Sequence, residues 1–202
     1  MNNAVQISAI PGVPDIKPGD KLDKILGECL EKSGGVRKHD ILCIAHKVVS
    51  KAEGNLIKLS DVRPSKEANR YALELNKSPE KVEVILSQSK RVVRAFKHPR
   101  QYEGTMICEH KLGFISANAA VDESNSDFGT LITLPDAPDL SAKRLGKSLE
   151  KRFGVTLGVV ITDTFGRPWR LGQVNVAIGL YKVPTRISCL LYTSDAADER
   201  SS

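Results

Sequence analysis

The 202-residue sequence predicts an α+β fold, with mixed sheets and packed helices, on three observations. Apolar residues recur at helical spacing in four stretches. Short β-rich runs bounded by Gly, Pro and Asp lie between and around those stretches. The two kinds of segment mix without the regular βαβ rhythm of a doubly wound sheet. Hydrophobic residues make up 41% and charged residues 27%, enough to bury a core without disulfides or structural metals.

Element by element, Val5–Ile10 is β-prone, and Pro11-Gly12-Val13-Pro14 and Pro18-Gly19-Asp20 then read as loop. Asp20 is a candidate N-cap for a helix in which Leu22, Ile25, Leu26, Cys29 and Leu30 repeat, with Gly34-Gly35 at its end. Ile41–Ala45 is an apolar run suited to a buried strand that exits into His46-Lys47-Val48-Val49-Ser50-Lys51. Glu53-Gly54 marks a turn. Ser65 caps a helix carrying Ala68, Ala72 and Leu75, and Ser78-Pro79 opens another with Val82, Ile85 and Leu86 inward. Strands are expected at 90–96, 105–108, 113–118 and 130–134. A helix over 141–153 follows, with Ala142, Leu145, Leu149 and Phe153 on one face and Gly154 as its cap. Thr156–Ile161 is a strand expected to deliver Thr162-Asp163-Thr164 to its end.

After Gly179 the pattern stops, and VPTRISCLLYTSDAADERSS has no readable period. The expected organisation is one domain over 1–182 and a non-native tail over 183–202, the junction lying between Leu180 and Ile187. An ordinary flexible tail is the plainer reading of the same text. No apolar run is long enough to span a bilayer, and the N-terminus lacks a signal-peptide pattern, so a cytoplasmic protein is expected.

The net charge is +6, from 30 Lys+Arg against 24 Asp+Glu. Such an excess suits nucleic acid or an anionic small substrate. Aromatic residues at 5% leave few stacking platforms, which disfavours single-strand binding. The four cysteines, Cys29, Cys43, Cys108 and Cys189, form no C-x-x-C pair, so zinc-finger and disulfide frameworks fail. Three of them sit in apolar surroundings and read as buried thiols.

Three clusters carry chemistry. His46, Lys47 and Lys51 gather cationic groups at a strand exit, which suits phosphates; a solvated basic edge is the plainer reading. Asn118–Asn125 places small residues before Asp122, Glu123, Ser124 and Asn125, oxygen donors for a hard divalent cation or simply an Asx turn. Thr162–Arg170 puts a carboxylate at a strand end, with Arg167 and Arg170 able to grip a phosphate or carboxylate. Asp163 with those arginines as a structural ion pair is the alternative. Taken together, basic groups and two separated carboxylates suit metal-dependent phosphoryl transfer. No P-loop, nucleophilic triad or dinucleotide fingerprint is present, and no single side chain stands out as the catalyst.

The sequence resembles the coenzyme F420:L-glutamate ligase family, the γ-glutamyl ligases of deazaflavin biosynthesis. GVPDIKPGDKL at Gly12–Leu22, HKVVSKAEG at His46–Gly54, NAAVDESN at Asn118–Asn125, LPDAPDLSA at Leu134–Ala142 and ITDTFGRPWRLGQVNVAIG at Ile161–Gly179 carry the likeness. The resemblance implies a γ-glutamyl ligase-like fold and a reaction in which GTP phosphorylates the precursor's terminal carboxylate. L-Glutamate then attacks the acyl phosphate. Carried over residue by residue, it implies GTP contacts at Val13, Pro14, Asp15, Ile16, His46, Lys47, Lys51 and Asn125. Metal ligands fall on Asp122, Asp163 and Thr164, for two divalent cations, Mg²⁺ or Mn²⁺, with K⁺ as a further candidate ion. GTP, L-glutamate and the coenzyme F420 precursor are the expected partners, in a homodimer, without nucleic acid or membrane. Ala120 stands where the family's N-A-G-x-D stretch usually has glycine. Three alternatives stay open: a GTP- and metal-dependent ligase with another acceptor, an inactive fragment, and a basic nucleic-acid-binding module. The last is opposed by basic residues that neither line one helix face nor interleave with aromatics.

Overall fold

The computed structural model describes residues 4–167 and 171–185. In chain order the elements are α1 (Leu22–Lys32), β1 (Ile41–Ala45), α2 (His46–Glu53), β2 (Leu56–Lys58), α3 (Lys66–Leu75) and α4 (Pro79–Gln88). They continue with β3 (Ser89–Phe96), β4 (Thr105–His110), β5 (Ile115–Ala117), β6 (Thr130–Ile132), α5 (Pro138–Phe153), β7 (Gly158–Gly166) and β8 (Gln173–Tyr181). Among the described residues three sheets form, ordered β1-β7-β8, β2-β6 and β3-β4-β5. Only β1 and β7 pair in parallel among the described strands. The fold is α+β, as expected.

Two hydrophobic clusters organise it. In the first, Leu26 and Leu30 of α1 and Leu145 and Leu149 of α5 pack against Ile44, Val159, Ile161 and Ile178 of the β1-β7-β8 sheet. The i, i+4 spacing of each leucine pair puts both members on one helix face. In the second, Ala68, Ala72 and Leu75 of α3 and Val82 and Ile85 of α4 cover Met106 and Cys108 of β4. Fully buried leucines such as Leu75 and Leu149 each contribute on the order of 2–5 kcal/mol against truncation to alanine.

Local signals formed most of the helices. Ser65 accepts the Ala68 N–H and Ser78 the Lys81 N–H, while Gly54 (φ 79°) and Gly154 (φ 68°) end α2 and α5 in the left-handed region. Several expectations are corrected. Val5–Ile10 forms no strand: Val5 and Ile7 are exposed and have no ladder partner among the described residues, and β-propensity needs one. Asp20 does not cap α1; its carboxylate accepts the Lys17 N–H at 2.8 Å and closes the turn, leaving Lys21 as an N-cap without a side-chain bond. β1 lies at a sheet edge, with Ile41 and Cys43 exposed, so it is not wholly buried. Cys29 and Cys108 are buried thiols, Cys43 is not, and Cys189 lies outside the described residues. The stretch after β1 is the helix α2, α5 begins at Pro138, and β7 runs on to Gly166. Thr162–Thr164 therefore sit within a strand rather than at its end. Among the described residues no helix is long and apolar enough to cross a membrane.

Candidate functional site

The site begins with a register. Parallel pairing sets Ala45, the last residue of β1, opposite Thr162, so His46 at the start of α2 meets Asp163 where the β1–β7 ladder ends. The chain turns into α2 directly at His46, which buries His46, Val49 and Ser50 on one face. His46 Nδ1 lies 3.3 Å from Ser50 Oγ, and its Nε2 lies 3.3 Å from Asp163 Oδ1. Lys47 and Lys51, also four apart, share the adjacent face. On β7, Asp163 Oδ1 accepts the Thr164 N–H at 2.7 Å. Thr164 Oγ1 donates to Asn175 Oδ1 at 2.9 Å across the β7–β8 ladder.

The second carboxylate comes from a tight loop. Asn118, Ala119 and Ala120 hold φ of 50°, 49° and 55°, a left-handed run costing about 1–2 kcal/mol per non-glycine residue. Asn118 Oδ1 accepts the Met106 N–H at 3.3 Å, and buried Ala119 and Val121 anchor the run in the second core. Asp122 then exchanges both backbone bonds with Ile132. Its Oδ1 accepts the Ser124 N–H at 2.7 Å, the Asx turn of the plainer reading, while Oδ2 lies 2.5 Å from Lys47 Nζ. Lys47 also donates to Ser124 Oγ. Burial pushes the Asp122 carboxyl up, but Lys47 and the Ser124 N–H and hydroxyl outweigh it and hold the carboxyl below its usual range.

The Val13–Ile16 loop lies along α2. Lys51 Nζ sits 2.7 Å from Asp15 Oδ1, which lowers the Asp15 carboxyl, and Gly19 N–H donates to Ala52 O at 3.0 Å. Ile16 is buried, Val13 packs on the first core, and Pro14 is exposed. Asn125 stays exposed at the loop tip, with φ 61°. Each basic residue of the first cluster thus faces a carboxylate.

Asp122, Asp163, Thr164 and Lys47 line one cavity of about 490 Å³, together with Ser116 and Gln173. Among the described residues no three His, Cys, Asp or Glu side chains form a closed metal cage. Two carboxylates and a hydroxyl facing one polar cavity nevertheless fit a hard divalent cation, since Mg²⁺ typically takes one or two protein carboxylates and completes its shell from substrate phosphates and water. Behind Asp163 the buried His46 Nε2 has no well-aligned hydrogen-bond partner among the described residues. Among the described residues Asp163 meets His46 rather than Arg167, which donates to the Leu171 carbonyl at 3.4 Å. Arg170 lies outside the described residues.

Ser116 and Gln173 were missed. Ser116 Oγ is buried without a partner among the described residues, on the sheet face it shares with Cys108 directly opposite. No local pattern marks it. Gln173 stands inside the Ile161–Gly179 stretch and was legible only as part of that match.

The family described as F420-0:Gamma-glutamyl ligase matches residues 12–201. The coenzyme F420:L-glutamate ligase of Methanopyrus kandleri is 43% identical over 180 residues, covering 89% of this chain and 68% of that protein. Its namesake from Methanothermobacter thermautotrophicus is 37% identical, covering 87% and 68%. That of Methanocaldococcus jannaschii is 39% identical, covering 83% and 64%. The chain spans about two thirds of the length of these relatives. A match of this extent, running through every stretch that builds the cavity, makes the chain a member of the F420-0:γ-glutamyl ligase family.

Proposed function

We propose that the chain carries the nucleotide and metal site of a GTP-dependent ligase that joins L-glutamate to a coenzyme F420 precursor. The observation that carries this reading is the convergence of Asp122, Asp163, Thr164 and Lys47 on one cavity beside Lys51 and His46. In this reading GTP phosphorylates the precursor's carboxylate, and the glutamate amine displaces phosphate to give the amide, GDP and inorganic phosphate. Lys47 and Lys51 neutralise the phosphates as mobile point charges. His46, Asn125 and the Val13–Ile16 loop line the nucleotide. Asp122, Asp163 and Thr164 would hold Mg²⁺ or Mn²⁺, two ions in all, with K⁺ as a further candidate. When bound, such cations offset the charge on the transferred phosphoryl group. Closure of the site around an acyl phosphate would slow its hydrolysis. A cytoplasmic homodimer belongs to the same reading and rests on the family likeness.

Titration calorimetry with GTP tests the nucleotide half. Lys51→Ala is expected to weaken binding by about 1–3 kcal/mol, the scale of a lost hydrogen bond to a charged group. An unchanged dissociation constant counts against the assignment. Asp163→Asn is expected to abolish GDP release and glutamylated product while leaving the circular dichroism spectrum intact. Assays with the F420 precursor and with other carboxylate acceptors fix the acceptor. Full ligation by Asp163→Asn overturns the metal assignment.

A further inference from the structure

Two residues assigned to the nucleotide, Lys47 and His46, touch carboxylates assigned to metal, Asp122 and Asp163, while Lys51 pairs with Asp15 of the nucleotide loop. Lys47 Nζ lies 2.5 Å from Asp122 Oδ2, Lys51 Nζ 2.7 Å from Asp15, and His46 Nε2 3.3 Å from Asp163. We propose that Lys47 is an exchange residue: its ammonium holds the cation position at Asp122, and arrival of a divalent cation transfers that ammonium to the nucleotide's phosphates. The inference rests on the nucleotide and metal reading above and adds a coupling between the two ligands.

Three features support the exchange. Lys47 and Asp122 are 25% and 32% exposed, so both charges are partly desolvated and neither is readily left unpaired. Ser124 binds both members, giving its N–H to Asp122 and accepting from Lys47, so the ammonium is seated on the carboxylate face that lines the cavity. A dication on the Asp122 carboxylate repels an ammonium in contact with the same group, so the two cations compete for it. Lysine's flexible four-carbon stem lets the displaced group move while its backbone stays in α2. Each ligand thereby removes the counterion that competes with the other, and the coupling is reciprocal, typically within 5–150-fold.

Two substitutions test this with binding readouts. Lys47→Met keeps most of the side chain's volume and removes the charge. Without nucleotide it is expected to bind Mn²⁺, followed by electron paramagnetic resonance, about tenfold more tightly than the unaltered chain. Asp122→Asn frees the ammonium and is expected to bind GTP more tightly in EDTA, by a similar factor. A merely structural ion pair predicts the opposite sign, because loosening the loop weakens both ligands. Equal Mn²⁺ affinity for Lys47→Met and the unaltered chain overturns the exchange while leaving the metal assignment standing. Failure of Mn²⁺ to bind either protein, with GTP bound by both, overturns the metal assignment and the exchange with it. If Lys47→Met does not fold, by circular dichroism and urea midpoint, the Asp122→Asn arm decides.

Discussion

Glu103 is the carboxylate on which two lysines converge, and replacing it by alanine strands one of them. Lys77 Nζ lies 2.8 Å and Lys81 Nζ 3.0 Å from Glu103 Oε2. The Lys77 side chain is 3% exposed and has no other carboxylate partner among the described residues, whereas Lys81 keeps Glu123 at 2.8 Å. Breaking a buried pair from one side costs about 3–5 kcal/mol, because an unpaired charge stays behind. Glu103 is itself 36% exposed, so solvent screening brings the expected loss down to about 2–3 kcal/mol. For a domain near 200 residues this corresponds to a Tm lower by about 4–12 °C. Urea unfolding followed by circular dichroism should show a lower midpoint at unchanged slope. The double variant Lys77→Met, Glu103→Ala removes both charges and should recover most of the loss. A single-variant loss under about 0.5 kcal/mol, or a double variant as unstable as the single, would refute the buried-ammonium argument.

Gly179→Ala would place a Cβ 2.6 Å from the backbone of Pro138, at the start of α5. Backbone cannot yield there without lifting α5 off β8, so a loss of about 1–3 kcal/mol is expected; an unchanged Tm would contradict it. Stability should also fall with acid in two stages. Burial depresses the His110 imidazole, with Lys111 and Lys90 adding to the effect and Asp163 opposing it, so the folded state binds its proton less readily than the unfolded one. That stability is full above about pH 6.5 and is lost as pH falls. The second stage belongs to Asp122, whose burial is outweighed by Lys47 and Ser124, and to Glu103, whose burial is outweighed by Lys77 and Lys81. Both carboxyls are depressed, so their contribution is full above about pH 4–5 and is lost below it. Urea midpoints measured from pH 8 to pH 3 check both stages, and His110→Gln should erase the first alone.

What the sequence revealed was the local part of the structure. Ser65 and Ser78 announce their helices because a cap is a contact within three residues. Leu145 and Leu149 announce α5 because one face of a helix has a period. The short helix α2 escaped, since Ala45 offers no side-chain cap and its 8 residues make only about two turns. β8 escaped because Asn175, Ala177 and Gly179 are poor strand formers held in place by pairing with β7. The three candidate clusters were visible singly. Their assembly was not: His46 meets Asp163 through a parallel register, and Lys47 meets Asp122 through packing of distant segments. Neither meeting leaves a trace in spacing. Ser116 was invisible for a related reason, being defined by the space in front of it rather than by its neighbours in the chain.

The division into two cores has a consequence for the order of folding. Every buried member of the second cluster lies between Ala68 and Leu131, and every buried member of the first lies outside that span. The second core is thus an insertion within the first, and its ends are stapled together by the β2–β6 ladder and the Thr133 N–H to Asn55 O bond at 3.1 Å. Once the staple closes, the loop separating β1 from β7 shortens roughly threefold, and the entropy of closing it falls by about 1 kcal/mol. Parallel pairing between remote strands, ordinarily the slow step, becomes an almost local event. The inserted segment should therefore fold first and act as a splint for the outer one. Pulse-labelled hydrogen exchange should protect β2, β4 and β6 before β1 and β7, and the reverse order would show that the outer core nucleates on its own.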